Sequence, residues 1–279
     1  MSSDVKALVL TGYGLNCDNE TAHAFALAGA NVQRVHINAL LSKKVTLDDF
    51  QIMAFVGGFS WGDDHGAGVI QAHRMQSGIG DDLARFVGRG GLVIGICNGF
   101  QTLVNMGMLP GITAGESGSA RSVALIANDC GNFRDDWVNL VAEESCPCVF
   151  TRGMTTMALP VRHGEGKFYC EAPVLETLRA GRQIVLRYAD ENGNPANGRF
   201  PDNPNGSIDD VAGICDPTGR VFGLMPHPEA YIHFTNHPDW TRQKVLARRA
   251  GRPFPDSPVT DGLQLIKNGV DFLRQAGRI

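Results

Sequence analysis

Three short stretches carry the residue types of covalent acyl-transfer chemistry. Gly95-Ile-Cys97-Asn-Gly99 sets a thiol between two glycines. The spacing is that of a nucleophile elbow with sulfur in place of the hydroxyl. A nucleophile on so tight a turn needs small neighbours, which avoid clashes and tolerate unusual backbone angles. A helix starting just after the thiol would aim free N–H groups and partial positive charge at it, and such a place favours a thiolate over a thiol. The backbone N–H of Asn98 would then point at a forming oxyanion. The plainer reading of the same turn is a buried structural cysteine. Matching groups elsewhere in the chain weigh against it.

The second stretch is Val56-Gly57-Gly58-Phe59, at the end of an apolar run. A Gly-Gly turn lets a backbone N–H, here that of Gly58, come close to a substrate oxygen. Its plainer reading is an ordinary turn. The third is Met225-Pro226-His227-Pro228-Glu229. A thiol nucleophile needs a base, usually histidine, oriented by a third group. Of eight histidines, His227 is the best candidate. Two prolines stiffen its loop, and Glu229 stands where it can accept an N–H bond and fix the tautomer. No further ligand pair accompanies it, so a metal site is the poorer reading. Cys17, in Asn16-Cys17-Asp18, is a rival nucleophile ahead of another helix. It lacks the glycine frame, and the Asp18 carboxylate beside it disfavours a thiolate.

Composition narrows the classes. The chain has 279 residues, 43% of them hydrophobic and 19% charged, with a formal net charge of −4. That is the profile of a soluble globular protein of one large or two small domains. With no Lys/Arg cluster, nucleic-acid backbone binding is not expected. The opening apolar run is too short for a signal peptide or a membrane span, and a cytoplasmic location is the default expectation. Seven cysteines include one close pair, Cys146-Pro147-Cys148, read as an ordinary loop in a reducing compartment. Neither a phosphate-binding G-x-x-x-x-G-K-[ST] loop nor a dinucleotide fingerprint after the first strand is found.

The elements that must present these groups alternate in the first half. Strands are expected at 5–10, 32–37, 52–56 and 92–96, and helices at 19–28, within 66–88 and at 98–108. Asp18 reads as the first helix's N-cap and Gly29 as its stop. Nearly continuous apolar strands alternating with helices predict a mostly parallel central sheet flanked by helices. Short strands at 122–126, 137–141, 156–161, 183–188 and 211–214 predict a smaller antiparallel addition. A hairpin is expected around Asp216-Pro217-Thr218-Gly219. Cys97, Gly57-Gly58 and His227 all follow strands, and ligands on open α/β sheets bind beyond the carboxyl ends of strands. Helices at 239–250 and 261–275 close the chain. The expected organisation is one α/β domain over 1–237 with a helical extension, 238–279, packed on it.

GICNGFQ (95–101), VGGFSWGD (56–63) and MPHPE (225–229) together resemble the class I (triad) glutamine amidotransferases, in which cysteine, histidine and glutamate follow in this order. Within that family the chain is most similar to the glutaminase subunits of phosphoribosylformylglycinamidine synthases. GLNCD (14–18), LPG (109–111), HGEG (163–166) and NPNGS (203–207) add to that likeness. The resemblance covers residues 5–230. It departs at Ala230, where the subfamily commonly has Arg, at Asp135-Asp136 in place of a Cys-Arg pair, and in a longer tail. It implies that Cys97, His227 and Glu229 hydrolyse the side-chain amide of L-glutamine through a thioester, with Gly58 and Asn98 as oxyanion donors. Gly57, Gln101, His163 and Glu165 would bind the substrate. The ammonia would pass to a synthetase subunit that makes formylglycinamidine ribonucleotide in purine synthesis. That partner would use ATP and magnesium; this chain would carry no cofactor. A glutaminase serving another acceptor, a cysteine hydrolase of similar fold and a non-catalytic regulator of the same fold are the alternatives.

Overall fold

The computed structural model describes residues 5–111, 121–255, 257 and 259–277. In the first half β1 (Lys6–Thr11), α1 (Asp18–Leu27), β2 (Asn31–His36), α2 (Ile37–Leu41), β3 (Ile52–Phe55), α3 (Val69–Gly88), β4 (Leu92–Ile96) and α4 (Asn98–Asn105) alternate. Every residue of β3 and β4 is buried. This is why their sequences are apolar throughout rather than alternating: helices cover both faces. The second half holds β5 (Val123–Ile126), β6 (Arg134–Ala142), β7 (Thr156–His163), β8 (Lys167–Cys170), α5 (Ala172–Ala180), β9 (Ile184–Ala189), β10 (Val211–Cys215) and β11 (Val221–Leu224). Helices α6 (Trp240–Arg249) and α7 (Asp261–Gln275) follow.

One nine-stranded sheet runs in the order β2-β1-β3-β4-β11-β10-β9-β6-β7, and β5 pairs with β8 in a separate ribbon. Strands β2, β1, β3, β4 and β11 are mutually parallel. From β11 outward the pairings are antiparallel. The antiparallel addition therefore continues the parallel sheet edge to edge. The expected hairpin is present, with Cys215 opposite Phe222 and Gly213 opposite Leu224. It is what turns the chain round so that β11 enters parallel to β4.

Several boundaries differ from the sequence expectation. Asp18 is the first helical residue of α1, and Cys17 is its N-cap without a side-chain cap bond. The Asp18 carboxylate instead accepts a bond from Arg34 at 3.1 Å. Gly29 does sit just past the end of α1, at φ +89°, as a left-handed terminator should. Strand β6 begins three residues earlier than expected, because Arg134 to Asp136 are pulled into register with His163 to Val161 of β7. Strand β8 and helices α2 and α5 had no periodic signal of sufficient length. Helix α7 starts with Thr260 as N-cap, its hydroxyl accepting from Leu263 N. Its Gly262 lies so close to the backbone of Pro228 that a Cβ would sit 2.1 Å from that carbonyl oxygen. The last helix thus packs directly behind the turn that carries His227 and Glu229.

Candidate active site

The strand order β1-β3-β4-β11 lays four carboxyl ends side by side. The loop with Cys17 leaves β1, Gly57-Gly58 leaves β3, Cys97 leaves β4 and His227 leaves β11. The chain reverses its winding between β1 and β3, the kind of switch point where a crevice opens in such sheets. Sequence-distant groups meet there because the parallel register aligns them.

The elbow has a specific backbone. Cys97 itself takes a positive φ of 51°, with ψ −107°. This differs from the expectation that the flanking glycines absorb the strain; their role is close approach. A Cβ on Gly99 would lie 2.1 Å from the Phe55 carbonyl oxygen, and one on Gly95 would lie 2.8 Å from the carbonyl carbon of Gly99. Only glycines let α4 start against β3 and fold back over β4. The strained residue is held by its N–H on Leu224 O at 2.8 Å and by Gln101 N on its carbonyl at 3.0 Å. Its sulfur lies 3.6 Å from Arg162 O.

His227 and Glu229 are both 2% exposed, and His227 Nδ1 lies 2.6 Å from Glu229 Oε1. The His227 amide donates to Pro160 O at 2.8 Å, fixing the loop to β7. Burial acts to lower the imidazole's pKa. The Glu229 carboxylate and the Cys97 and Cys17 sulfurs together outweigh it, and the ring is held well above its ordinary value. Nε2 has no hydrogen-bond partner among the described residues. The sulfurs lie outside hydrogen-bond geometry yet near enough to favour the charged ring. An imidazolium tied at Nδ1 and open at Nε2 is equipped to give a proton at one atom.

Gly57 is where the ring finds room. A Cβ there would be 2.8 Å from His227 Cε1 and 3.2 Å from Cys17 Sγ. Gly58, at φ +147°, faces the carbonyl of Gly14 at 2.4 Å from the same hypothetical atom. Asn98 is fully buried and binds three ways. It accepts from Ser60 N at 3.4 Å and donates to Asp63 Oδ1 and Gln101 Oε1, each at 3.2 Å. Its side chain therefore ties the loop after Gly58 to the elbow, holding both proposed donor amides in one frame. Asn98 N, in the first turn of α4, has no intrahelical partner. Asp63 is pushed up to about 6 by burial and by the nearby Glu165 carboxylate, against the Asn98 bond.

The other expected substrate residues are tied to the elbow helix and to the loops beside it. Gln101 Nε2 donates to Glu165 O, and Glu165 Oε2 accepts from Ala67 N at 3.3 Å. His163 is buried, with Nδ1 3.1 Å from Asn128 Oδ1. Burial and the charge of His227 push it down to about 3, so this ring is neutral. Gly166 is required beside it, since a Cβ would lie 2.3 Å from the imidazole.

Two contributors were not assigned a role from sequence. Asn205 of the NPNGS motif donates to Gly166 O at 2.8 Å and to Tyr188 OH at 3.2 Å, bracing the HGEG loop. Asn128 braces it from the other side through Gly166 N and His163 O. Asn205 sits in a motif that the sequence singled out without its partners, and Asn128 in a stretch that it did not. Cys17, weighed as a rival nucleophile, stands within the site. Its Sγ, a His227 nitrogen and a Glu229 oxygen lie within 4.8 Å of one another. Such a set has the donor types of a zinc site, but His227 and Glu229 already spend their facing atoms on each other. A separate cleft of about 520 Å³ is lined by Gln51, Gly91 and Arg220 at the opposite, amino ends of β3, β4 and β11. Among the described residues, no helix is long and apolar enough to cross a membrane.

Comparison with known proteins gives a consistent picture. Residues 4–273 match the CobB/CobQ-like glutamine amidotransferase domain. A Methanococcus maripaludis protein, phosphoribosylformylglycinamidine synthase subunit PurQ, is 44% identical over 272 residues, which is 97% of this chain and 98% of the relative. The Dehalococcoides mccartyi protein of that name is 42% identical over 273 residues, 98% and 99% of the two chains. Among solved structures, a chain of PurLQS from Thermotoga maritima superposes with a TM-score of 0.68 at 26% identity, covering 97% of this chain and all of that one.

Proposed function

The chain belongs to the CobB/CobQ-like glutamine amidotransferase family and is of the type that serves phosphoribosylformylglycinamidine synthesis in purine biosynthesis; from that premise we propose that Cys97, His227 and Glu229 carry its glutamine hydrolysis. The observation that carries this reading is the buried 2.6 Å contact between His227 and Glu229 beside the strained Cys97 elbow.

The steps follow from the atoms. The Cys97 thiolate attacks the amide carbon of the glutamine side chain. The oxyanion that forms takes hydrogen bonds from Gly58 N and Asn98 N; loss of one such donor typically costs about 10²–10³-fold in rate. His227 gives its Nε2 proton to the departing ammonia, leaving a thioester on Cys97. The now neutral ring takes a proton from water, whose oxygen attacks the thioester and releases glutamate. Glu229 keeps Nδ1 protonated throughout and stabilises the cation. Gln101 and Glu165, joined to each other, and His163 shape the rim that admits glutamine; Gly57 leaves the space in which His227 sits. The ammonia is consumed by a synthetase subunit, which on this reading holds the ATP and magnesium.

Reconstitution with a synthetase subunit tests the reading. A glutamine-mimicking diazoketone should label Cys97 and abolish amidine formation from glutamine while leaving formation from added ammonia intact. Labelling at another residue, or undiminished glutamine-dependent synthesis after Cys97 is modified, overturns it.

A further inference from the structure

Away from the catalytic edge, a second group of thiols is left over by the mechanism. Cys215 ends β10 and is fully buried. Cys146 lies in the connection between β6 and β7, half-buried, and its sulfur is 3.6 Å from that of Cys215. The segment around Cys146 is fastened where it stands. Cys146 N donates to Glu143 O at 3.0 Å, and Val149 N donates to Gly219 O at 3.0 Å. Gly219, in the hairpin turn that follows Cys215, approaches so closely that a Cβ would lie 2.1 Å from Pro147 O. Both sulfurs are therefore held by backbone contacts between one loop and one turn. Cys146 also lines an open cleft of about 290 Å³ with Glu143, Cys148 and Arg152.

We propose that Cys146 and Cys215 form a dithiol modification site that a low-molecular-weight disulfide converts to an intramolecular disulfide. The two thiols divide the work as an attacking and a resolving sulfur do. The thiol–thiol contact with Cys215 lowers the pKa of Cys146 despite burial, and the contacts with Cys146 and then Cys148, with burial, push Cys215 up. The negative charge therefore gathers on the less buried of the two residues, the one that lines the cleft.

The Cys146 thiolate attacks one sulfur of the reagent disulfide, forming a mixed disulfide and expelling a thiolate. That thiolate takes the Cys215 proton. Cys215 then attacks the Cys146 sulfur, closing the Cys146–Cys215 bond and expelling the second reagent thiolate, which is protonated from water. Two protein thiols are oxidised and one reagent disulfide is reduced to two thiols. Closure needs the sulfurs to move together by roughly 1.5 Å, since a disulfide bond is about 2.05 Å long.

The full chain is incubated with oxidised glutathione at neutral pH and its tryptic peptides are analysed without reduction. The expected product links the peptide bearing Cys146 to the one bearing Cys215 and is lost on adding dithiothreitol. Cys146→Ser should lower the linked fraction at least tenfold, Cys148→Ser should leave it, and Cys215→Ser should leave a glutathione adduct on Cys146. Cys146→Ser and Cys148→Ser alter one loop, so the test stands even if the buried Cys215→Ser variant fails to fold. A link that survives in Cys146→Ser, or a glutathione adduct on Cys146 of the unaltered chain that never resolves onto Cys215, overturns the proposal.

Discussion

Two turns at the carboxyl edge of the sheet each place a cysteine immediately before a helix, and both sulfurs bear on the same imidazole. After β4, Cys97 is forced to φ 51° between glycines that cannot be enlarged. After β1, Cys17 has φ −96° and ψ 17°, an unstrained backbone. Cys17 is followed at once by Asp18 and then Glu20 in the first turn of α1; the first turn of α4 has no acidic residue. Burial pushes the Cys17 thiol up, with Glu229 and Glu20 adding to it against the His227 contact. A helix N-terminus is thus common to both turns, and it does not distinguish them. The distinction lies in the strained backbone and in the sign of the neighbouring charges.

The sharpest way to break this comparison is Cys97→Ala. Glutaminase activity should fall by at least about 10³-fold, as when a nucleophile that works as part of a triad is removed, with the circular dichroism spectrum unchanged. Substantial residual activity would transfer the nucleophile to Cys17. Next comes Glu229→Gln, which leaves the geometry but not the charge. A loss of about 10²–10⁴-fold in kcat is expected, together with a lower pKa for His227 in a pH–rate profile.

Gly99→Ala tests the frame rather than the chemistry. Its Cβ would meet the Phe55 carbonyl oxygen at 2.1 Å, and a thermal melt should show a loss of about 1–3 kcal/mol or more. Replacing Gly29 by alanine is not equivalent, because there the strain comes from φ +89° while the nearest atoms are the end of the flexible Arg274 side chain.

Cys17→Ala should reduce kcat by less than about tenfold, since Cys17 acts only through His227. The Cys17 sulfur helps keep the ring charged, so its removal should move the alkaline limb of the pH–rate profile to lower pH. An unchanged limb would show that Cys17 does not act on the ring.

The smallest effect is expected at Asp63, which also faces the elbow. Its carboxyl is raised from 3.8 to about 6. A raised acid is stabilising while protonated, so its contribution is fully present below about pH 4 and is lost as pH rises through about 6. Asp63→Asn should melt higher than the parent at pH 7 and lose that advantage at pH 4. Equal midpoints at both pH values would remove Glu165 and burial as the cause.

The legible part of the site was what lies close in sequence. Gly-x-Cys-x-Gly and His-x-Glu each contain their own partners, so spacing alone related Cys97 to Asn98 and His227 to Glu229. Fold class was legible for a related reason: fully apolar runs such as those of β3 and β4 can only be buried on both faces. Asn128, Asn205 and the placement of Cys17 were not legible. Each acts on residues far along the chain, Asn205 on Gly166 and Cys17 on His227, and a single sequence carries no trace of such pairings. Strand β6 was under-read for the same reason, its charged start being recruited by β7.

The sequence by itself determined which residue types are available for the proposed chemistry, the order in which they occur and the alternation that makes a parallel sheet. Those are local properties of side chains and of hydrophobic periodicity. Only the tertiary structure decided that β11 returns beside β4, which carries His227 to within reach of Cys97, and that the positive φ falls on Cys97 while its glycines serve close packing. Strand order and interatomic crowding depend on contacts between segments that are separate in the chain, such as Gly99 with Phe55 and β4 with β11. The chain encodes them collectively through the fit of the whole core, and no short stretch records them.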